Sequence, residues 1–155
     1  MHRIGVDIGG TFTDFVLVGD KVAGLLPRNV ELLIVVLATW RIGAVYQPLF
    51  TAFGPKALEH RLGSSGAAVV VTDAVNRPKL LEVPDCPTTV TVTGAKGQGL
   101  VRGDFSFWAE LANYSNVCEP VMLTGEDPFL LMFTSGTTGP SKALSVPLKA
   151  IVAFQ

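Results

Sequence analysis

From residue 19 onward, short β-branched runs alternate with longer apolar stretches, punctuated by glycine and proline. Residues 22–26 read as a strand that Pro27 ends. Asn29 stands where a helix cap belongs, ahead of a run from 30 to 42 with Gly43 as its stop. Leu32, Leu33, Ile34, Val35, Val36 and Leu37 leave that helix without a polar face, which predicts packing on several sides. Its β-branched residues also suit a strand, but the cap, the length and the stop favour helix. Residues 44–47 read as a short buried strand closed by Pro48. Gly54-Pro55 opens a second helix, with Leu58 and Leu62 on one face and Glu59, His60 and Arg61 on the other. Gly63 and Gly66 break it. The AVVVT run at 68–72 is the pattern of a strand covered on both faces. Strand, helix, strand, helix, strand at these spacings predicts a doubly wound α/β unit, with 22–26, 44–47 and 68–72 as neighbouring parallel strands.

The pattern then changes. Residues 84–103 are dominated by proline, glycine and threonine and predict an exposed connection, with one candidate strand at 89–93. Asp104 is placed to cap a short helix through Phe107, Trp108 and Leu111. FLLMF at 129–133 reads as a buried strand, 143–146 as its hairpin partner, and 148–154 as the start of another helix. At the opposite end, 3–8 and 15–18 are β-rich runs around a Gly-Gly turn, which predict an added N-terminal β-hairpin.

Composition narrows the function. Twelve Lys and Arg against 13 Asp and Glu give none of the basic footprint of a nucleic-acid binder. A hydrophobic content of 48% against 16% charged residues excludes a disordered chain. The longest strongly apolar run, 32–40, is far below the about 20 residues that span a bilayer. The start, MHRIGVDIGG, lacks the features of a secretory leader. Cys86 and Cys118 have neither metal nor redox spacing and read as reduced thiols of a cytoplasmic protein. His2 and His60 read as solvated, Asp73 and Asp127 as strand-end caps, and Trp40, Phe53, Phe107 and Trp108 as core.

The candidate chemistry lies in FTSGTTGPSK, residues 133–142. Backbone N–H groups bind phosphate oxygens where glycines allow close approach, and hydroxyls and a lysine add donors and charge. Thr134, Ser135, Thr137 and Thr138 supply hydroxyls, Gly136 and Gly139 freedom, and Lys142 the positive charge. The spacing is not that of a Walker loop. On residue types alone, a Ser/Thr/Gly-rich turn between two strands remains the competing reading.

FTSGTTGPSK resembles the signature phosphate loop of AMP-forming acid–CoA ligases, the adenylate-forming superfamily. Residues 19–80 are similar to the early N-terminal region of its acetyl-CoA-synthetase-like members. The resemblance implies a partial doubly wound α/β sheet over 19–155, the truncated N-terminal domain of such a ligase. It implies ATP with Mg as cofactor, the β- and γ-phosphates being held by Thr134, Ser135, Gly136, Thr137, Thr138, Gly139 and Lys142. The implied reaction joins a carboxylic acid to the α-phosphate, after which coenzyme A attacks the acyl-adenylate. Ala143 departs from the commonest form, in which glycine follows the lysine. The Tyr-Gly-x-Thr-Glu type motif, the ribose-binding aspartate, the hinge and the catalytic lysine are not found in the 155 residues. The expectation is therefore a ligase fragment inactive alone, or a non-catalytic remnant or interaction module that self-associates through exposed apolar surface.

A second string competes. GVDIGGTFTD at 5–14 resembles the N-terminal phosphate loop of the hydantoinase and oxoprolinase family, with Asp7 near the metal and Gly9, Gly10 and Thr11 at the phosphate. That resemblance covers only about 3–18, so 1–18 reads as a foreign segment joined to ligase-like sequence. A hydantoinase-type ATPase fragment is the reading it would support.

Overall fold

The computed structural model of the chain describes residues 19–134 and 141–154. The hairpin expected at 3–18 lies outside the described residues. Elements follow in the order β1 (Lys21–Leu25), α1 (Val30–Arg41), β2 (Val45–Pro48), α2 (Pro55–Ser65), β3 (Val69–Asp73), α3 (Arg77–Leu80), β4 (Thr88–Val92), β5 (Phe105–Ser106), α4 (Phe107–Asn113), β6 (Pro128–Phe133) and β7 (Ala143–Pro147). Short 3-10 turns occupy Ala95–Gly97 and Leu148–Phe154, the second where a regular helix was expected.

Local chemistry sets the helix ends. The Asn29 side chain accepts from the Leu32 N–H at 3.0 Å, and Glu31 and Arg41 sit at the ends of α1 that favour their charges. Pro55 opens α2, and Gly66 closes it in the left-handed region at φ 61°. Gly63 does not break α2; it is carried inside the helix.

The strands form one sheet in the order β5-β4-β3-β1-β2-β6-β7, parallel throughout except for β7, which runs antiparallel to β6. The three strands expected to be neighbours are neighbours: Val22 pairs with Tyr46 on one side and Val69 on the other. Alternation along β1 feeds two cores. Ala23 and Leu25 pack with Leu58, Leu62, Val70 and Leu80 beneath α2 and α3. Val22 and Leu26 pack with Val35, Tyr46, Val71 and Phe107 beneath α1 and α4. The sheet is thus covered on both faces, as a parallel sheet requires.

Several expectations from sequence are corrected. In α1 only Val35 and Thr39 are buried, while Val30, Leu33 and Leu37 are 66%, 59% and 54% exposed. Leu32, Ile34, Val36 and Trp40 are partly buried against the same core, and Val30, Leu33 and Leu37 stay in solvent. In the stretch read as an exposed connection, the candidate strand at 89–93 is present as β4, but as an interior strand between β3 and β5, with Thr89 and Thr91 buried. Threonine is tolerated there because its hydroxyls are bonded: Thr91 donates to Asp104 at 2.8 Å and Thr89 to the Pro87 carbonyl at 3.0 Å. Asp104 does not cap α4; Ser106 precedes that helix, and the Asp104 carboxylate turns inward to Arg77. Trp108 is 48% exposed rather than core, its indole N–H reaching Glu31 at 3.3 Å. Asp73 behaves as expected, its carboxylate accepting from the Asn76 N–H at 2.8 Å.

Candidate phosphate loop and family membership

The candidate loop is carried by the β6–β7 hairpin. Leu131 pairs with Ser145 and Phe133 with Ala143, so the two legs rise in register. Of the residues expected to bind phosphate, Thr134 and Lys142 are described; Ser135, Gly136, Thr137, Thr138 and Gly139 lie outside the described residues. Asp7, Gly9, Gly10 and Thr11 of the rival loop also lie outside them. Thr134 and Lys142 form a neck: the Thr134 N–H donates to the Lys142 carbonyl at 3.0 Å. The Lys142 N–H reaches the Thr134 hydroxyl oxygen at 3.4 Å. Lys142 is exposed, and among the described residues no carboxylate pairs with its ammonium.

The hairpin is tied to the sheet at its inner end. Tyr46 of β2 pairs with Leu130, and the Trp40 indole donates to the Phe129 carbonyl at 2.8 Å with the rings 5.5 Å apart. At the end away from the loop, hydrogen bonds from the Thr124 N–H and hydroxyl, 2.7 and 2.9 Å, hold the Asp127 carboxyl below the usual carboxylate range. Asp127 thus acts as the turn cap that its position implied.

Sequence reasoning missed what flanks the neck. His60, read as solvated, is partly buried, with Nε2 at 2.9 Å from the Ser141 carbonyl and its ring edge-on to Phe133. The Arg61 guanidinium lies 4.1 Å from the centre of the Phe53 ring and 5.6 Å from that of Phe133. Gln47 donates to the Arg61 carbonyl at 3.2 Å from a fully buried position. No local signal marks His60, because its partner is 81 residues away. Among the described residues, no group of three or more His, Cys, Asp or Glu is arranged to hold a metal ion, and no helix is long and apolar enough to cross a membrane.

Comparison with known proteins gives one consistent result. The acetyl-coenzyme A synthetase of Helicobacter pylori (strain G27) is 36% identical over 143 residues, 81% of this chain and 22% of that protein. The corresponding enzyme of Psychromonas ingrahamii is 32% identical over a similar span. Among solved structures, a Brucella canis acyl-CoA synthetase superposes with a TM-score of 0.84 at 55% identity, covering 90% of this chain and 25% of that one. ATP-bound MatB from Rhodopseudomonas palustris gives 0.75 at 27% identity, covering 91% of this chain and 27% of that one. The chain therefore spans about a fifth to a quarter of the length of these relatives. The family match begins at residue 16, so the hydantoinase-like string at 5–14 lies outside it. With residues 16–154 matching the AMP-binding enzyme family, the chain belongs to that family and corresponds to part of an acyl-CoA synthetase.

Proposed function

We propose that the loop between Thr134 and Lys142 binds the β- and γ-phosphates of ATP, as one part of the nucleotide site of an AMP-forming acid–thiol ligase. The observation that carries the reading is the hairpin neck, which holds an exposed lysine, without a carboxylate partner among the described residues, at the end of a sequence run of hydroxyls and glycines. This donor set fits a polyphosphate: backbone N–H groups and hydroxyls donate, and the ammonium supplies charge. Mg, when bound with ATP, would screen the phosphate charge. Lys142 and the loop donors orient the phosphates and favour departure of pyrophosphate.

The acid and the thiol of the complete reaction are taken to be a carboxylic acid and coenzyme A, on the strength of the named relatives. The 155 residues contain no Tyr-Gly-x-Thr-Glu type motif, and the role proposed for them is phosphate binding alone. The free thiols Cys86 and Cys118 fit a reducing, cytoplasmic setting. The exposed apolar stripe of α1 supports self-association.

The test is titration of pyrophosphate and Mg-ATP into the purified chain, followed by phosphorus NMR. Binding is expected near the millimolar range, about −4 kcal/mol. It should weaken in Lys142→Ala and stay unchanged in Asp7→Ala. Acid-dependent exchange of labelled pyrophosphate into ATP should be undetectable; acid-dependent exchange would overturn the inactive-alone reading. Binding that depends on Asp7 rather than Lys142 would transfer the phosphate site to the N-terminal string.

A further inference from the structure

We infer that His60 is a positioning residue for the phosphate loop, fixing Lys142 through a hydrogen bond to the Ser141 carbonyl. The inference rests on the reading of 134–142 as a phosphate loop and adds a residue that the loop motif does not contain. Helix α2 is anchored by Leu58 and Leu62, both buried, which turns His60 and Arg61 toward the hairpin. The Ser64 hydroxyl, one turn along the helix, lies 3.4 Å from His60 Nδ1. When that hydroxyl donates to Nδ1, the imidazole proton is on Nε2, the atom 2.9 Å from the Ser141 carbonyl.

The helix grips both legs of the hairpin. His60 holds the returning leg at Ser141 and meets the outgoing leg at Phe133, ring centres 6.1 Å apart. Arg61 lies over the same Phe133 ring. Phe133 directly precedes Thr134, and Ser141 directly precedes Lys142 on the loop side of the neck, so fixing them fixes where the lysine starts. Ser141 and Lys142 held in this way lose less freedom on binding an anion.

The readout is pyrophosphate affinity of the whole 155-residue chain, with thermal midpoints recorded for every variant. His60→Phe keeps a ring against Phe133 but has no donor, and His60→Ala has neither. Both are expected to bind about fivefold more weakly, the scale of one lost hydrogen bond. His60→Gln carries an amide donor near the Nε2 position and should bind within about twofold of the unsubstituted chain. Native-level binding in His60→Phe, or equal losses in His60→Gln and His60→Phe, overturns the inference. Nitrogen NMR of the native ring provides an independent check: the Nε2–H tautomer supports it, and a ring protonated only on Nδ1 overturns it. If Lys142→Ala weakens binding while the His60 variants do not, His60 alone loses its role. If Lys142→Ala changes nothing, the phosphate-loop reading itself fails and takes this inference with it.

Discussion

Arg77 and Asp104, 27 positions apart, meet through two charge-assisted hydrogen bonds of 2.6 and 2.7 Å, with both side chains almost wholly out of solvent. The same carboxylate accepts from the Thr91 hydroxyl and the Val101 N–H. One group therefore joins α3, β4 and the turn that leads into β5. Removing either charge leaves the other buried without its counter-charge, which costs far more than the pair contributes net. Arg77→Met is expected to lower unfolding free energy by about 3–5 kcal/mol, and the double change Arg77→Met, Asp104→Leu to recover most of it. Urea unfolding monitored by circular dichroism measures both. A loss under about 1 kcal/mol in Arg77→Met would remove the pair from the account of stability.

The same carboxylate gives an acid-side prediction. Burial pushes Asp104 up, but the bonds from Arg77, Thr91 and Val101 outweigh it and hold the group below the usual carboxylate range. A depressed folded value means the stabilisation is present above the unfolded value, near 4, and fades as pH falls through the folded value. Asp104→Asn should therefore be less stable at neutral pH and show a flatter fall in stability below about pH 4. Parallel acid limbs for the two proteins would contradict this.

Tyr46 supplies the alkaline counterpart. Burial pushes its phenol up to about 12. Here the folded value lies above the unfolded one of 10.0, so the contribution is complete below pH 10.0 and is lost as pH rises toward about 12. Tyr46→Phe should flatten the alkaline loss of stability. In Tyr114→Phe, which leaves Tyr46 as the single tyrosine, ultraviolet absorbance should report phenol ionisation only above pH 11 or upon unfolding.

Gly24 tests the same ring by packing. A Cβ built at Gly24 would stand 2.5 Å from the Tyr46 hydroxyl and 3.0 Å from its ring edge. Because Tyr46 is buried between β1 and the α1 layer, it has little room to retreat. Gly24→Ala is expected to cost about 1–3 kcal/mol, and Gly24→Ala with Tyr46→Phe to cost less than the separate changes combined. Strict additivity in a denaturation series would argue against the contact.

Self-association is expected to run through α1. Val30, Leu33 and Leu37 recur at helical spacing and are all more than half exposed. Sedimentation at rising concentration should show reversible association, and Leu33→Lys with Leu37→Lys should reduce it. A monomer at high concentration that binds no hydrophobic dye would remove this proposal.

Much of the sheet was legible in the sequence because its signals are local. Asn29, Pro55 and Gly66 mark helix ends, and AVVVT can hardly be anything but a buried strand. What failed depends on partners distant in sequence. β4 was readable as a candidate strand at 89–93, but its interior place in the sheet was not, and its buried threonines make sense only once Asp104 is seen to accept from Thr91. The helical period gave α1, but an all-apolar helix does not reveal which faces the sheet will take. At the site, the loop motif was readable residue by residue, whereas His60 was not, since an imidazole on a charged helix face looks solvated until Ser141 arrives beside it.

The junction between β2 and β6 is one residue pair wide, Tyr46 with Leu130, while β1 meets β2 and β3 along four pairs each. In mechanical terms the hairpin hangs from a narrow seam, with Trp40 as a latch on one side and His60 and Arg61 as stays on the other. A seam of this kind concentrates motion, so amide exchange should be faster across β6 and β7 than in β1 and β3. Thr134 and Lys142, bonded to each other at the end of that hairpin, would then shift together with β6 and β7 against a fixed sheet.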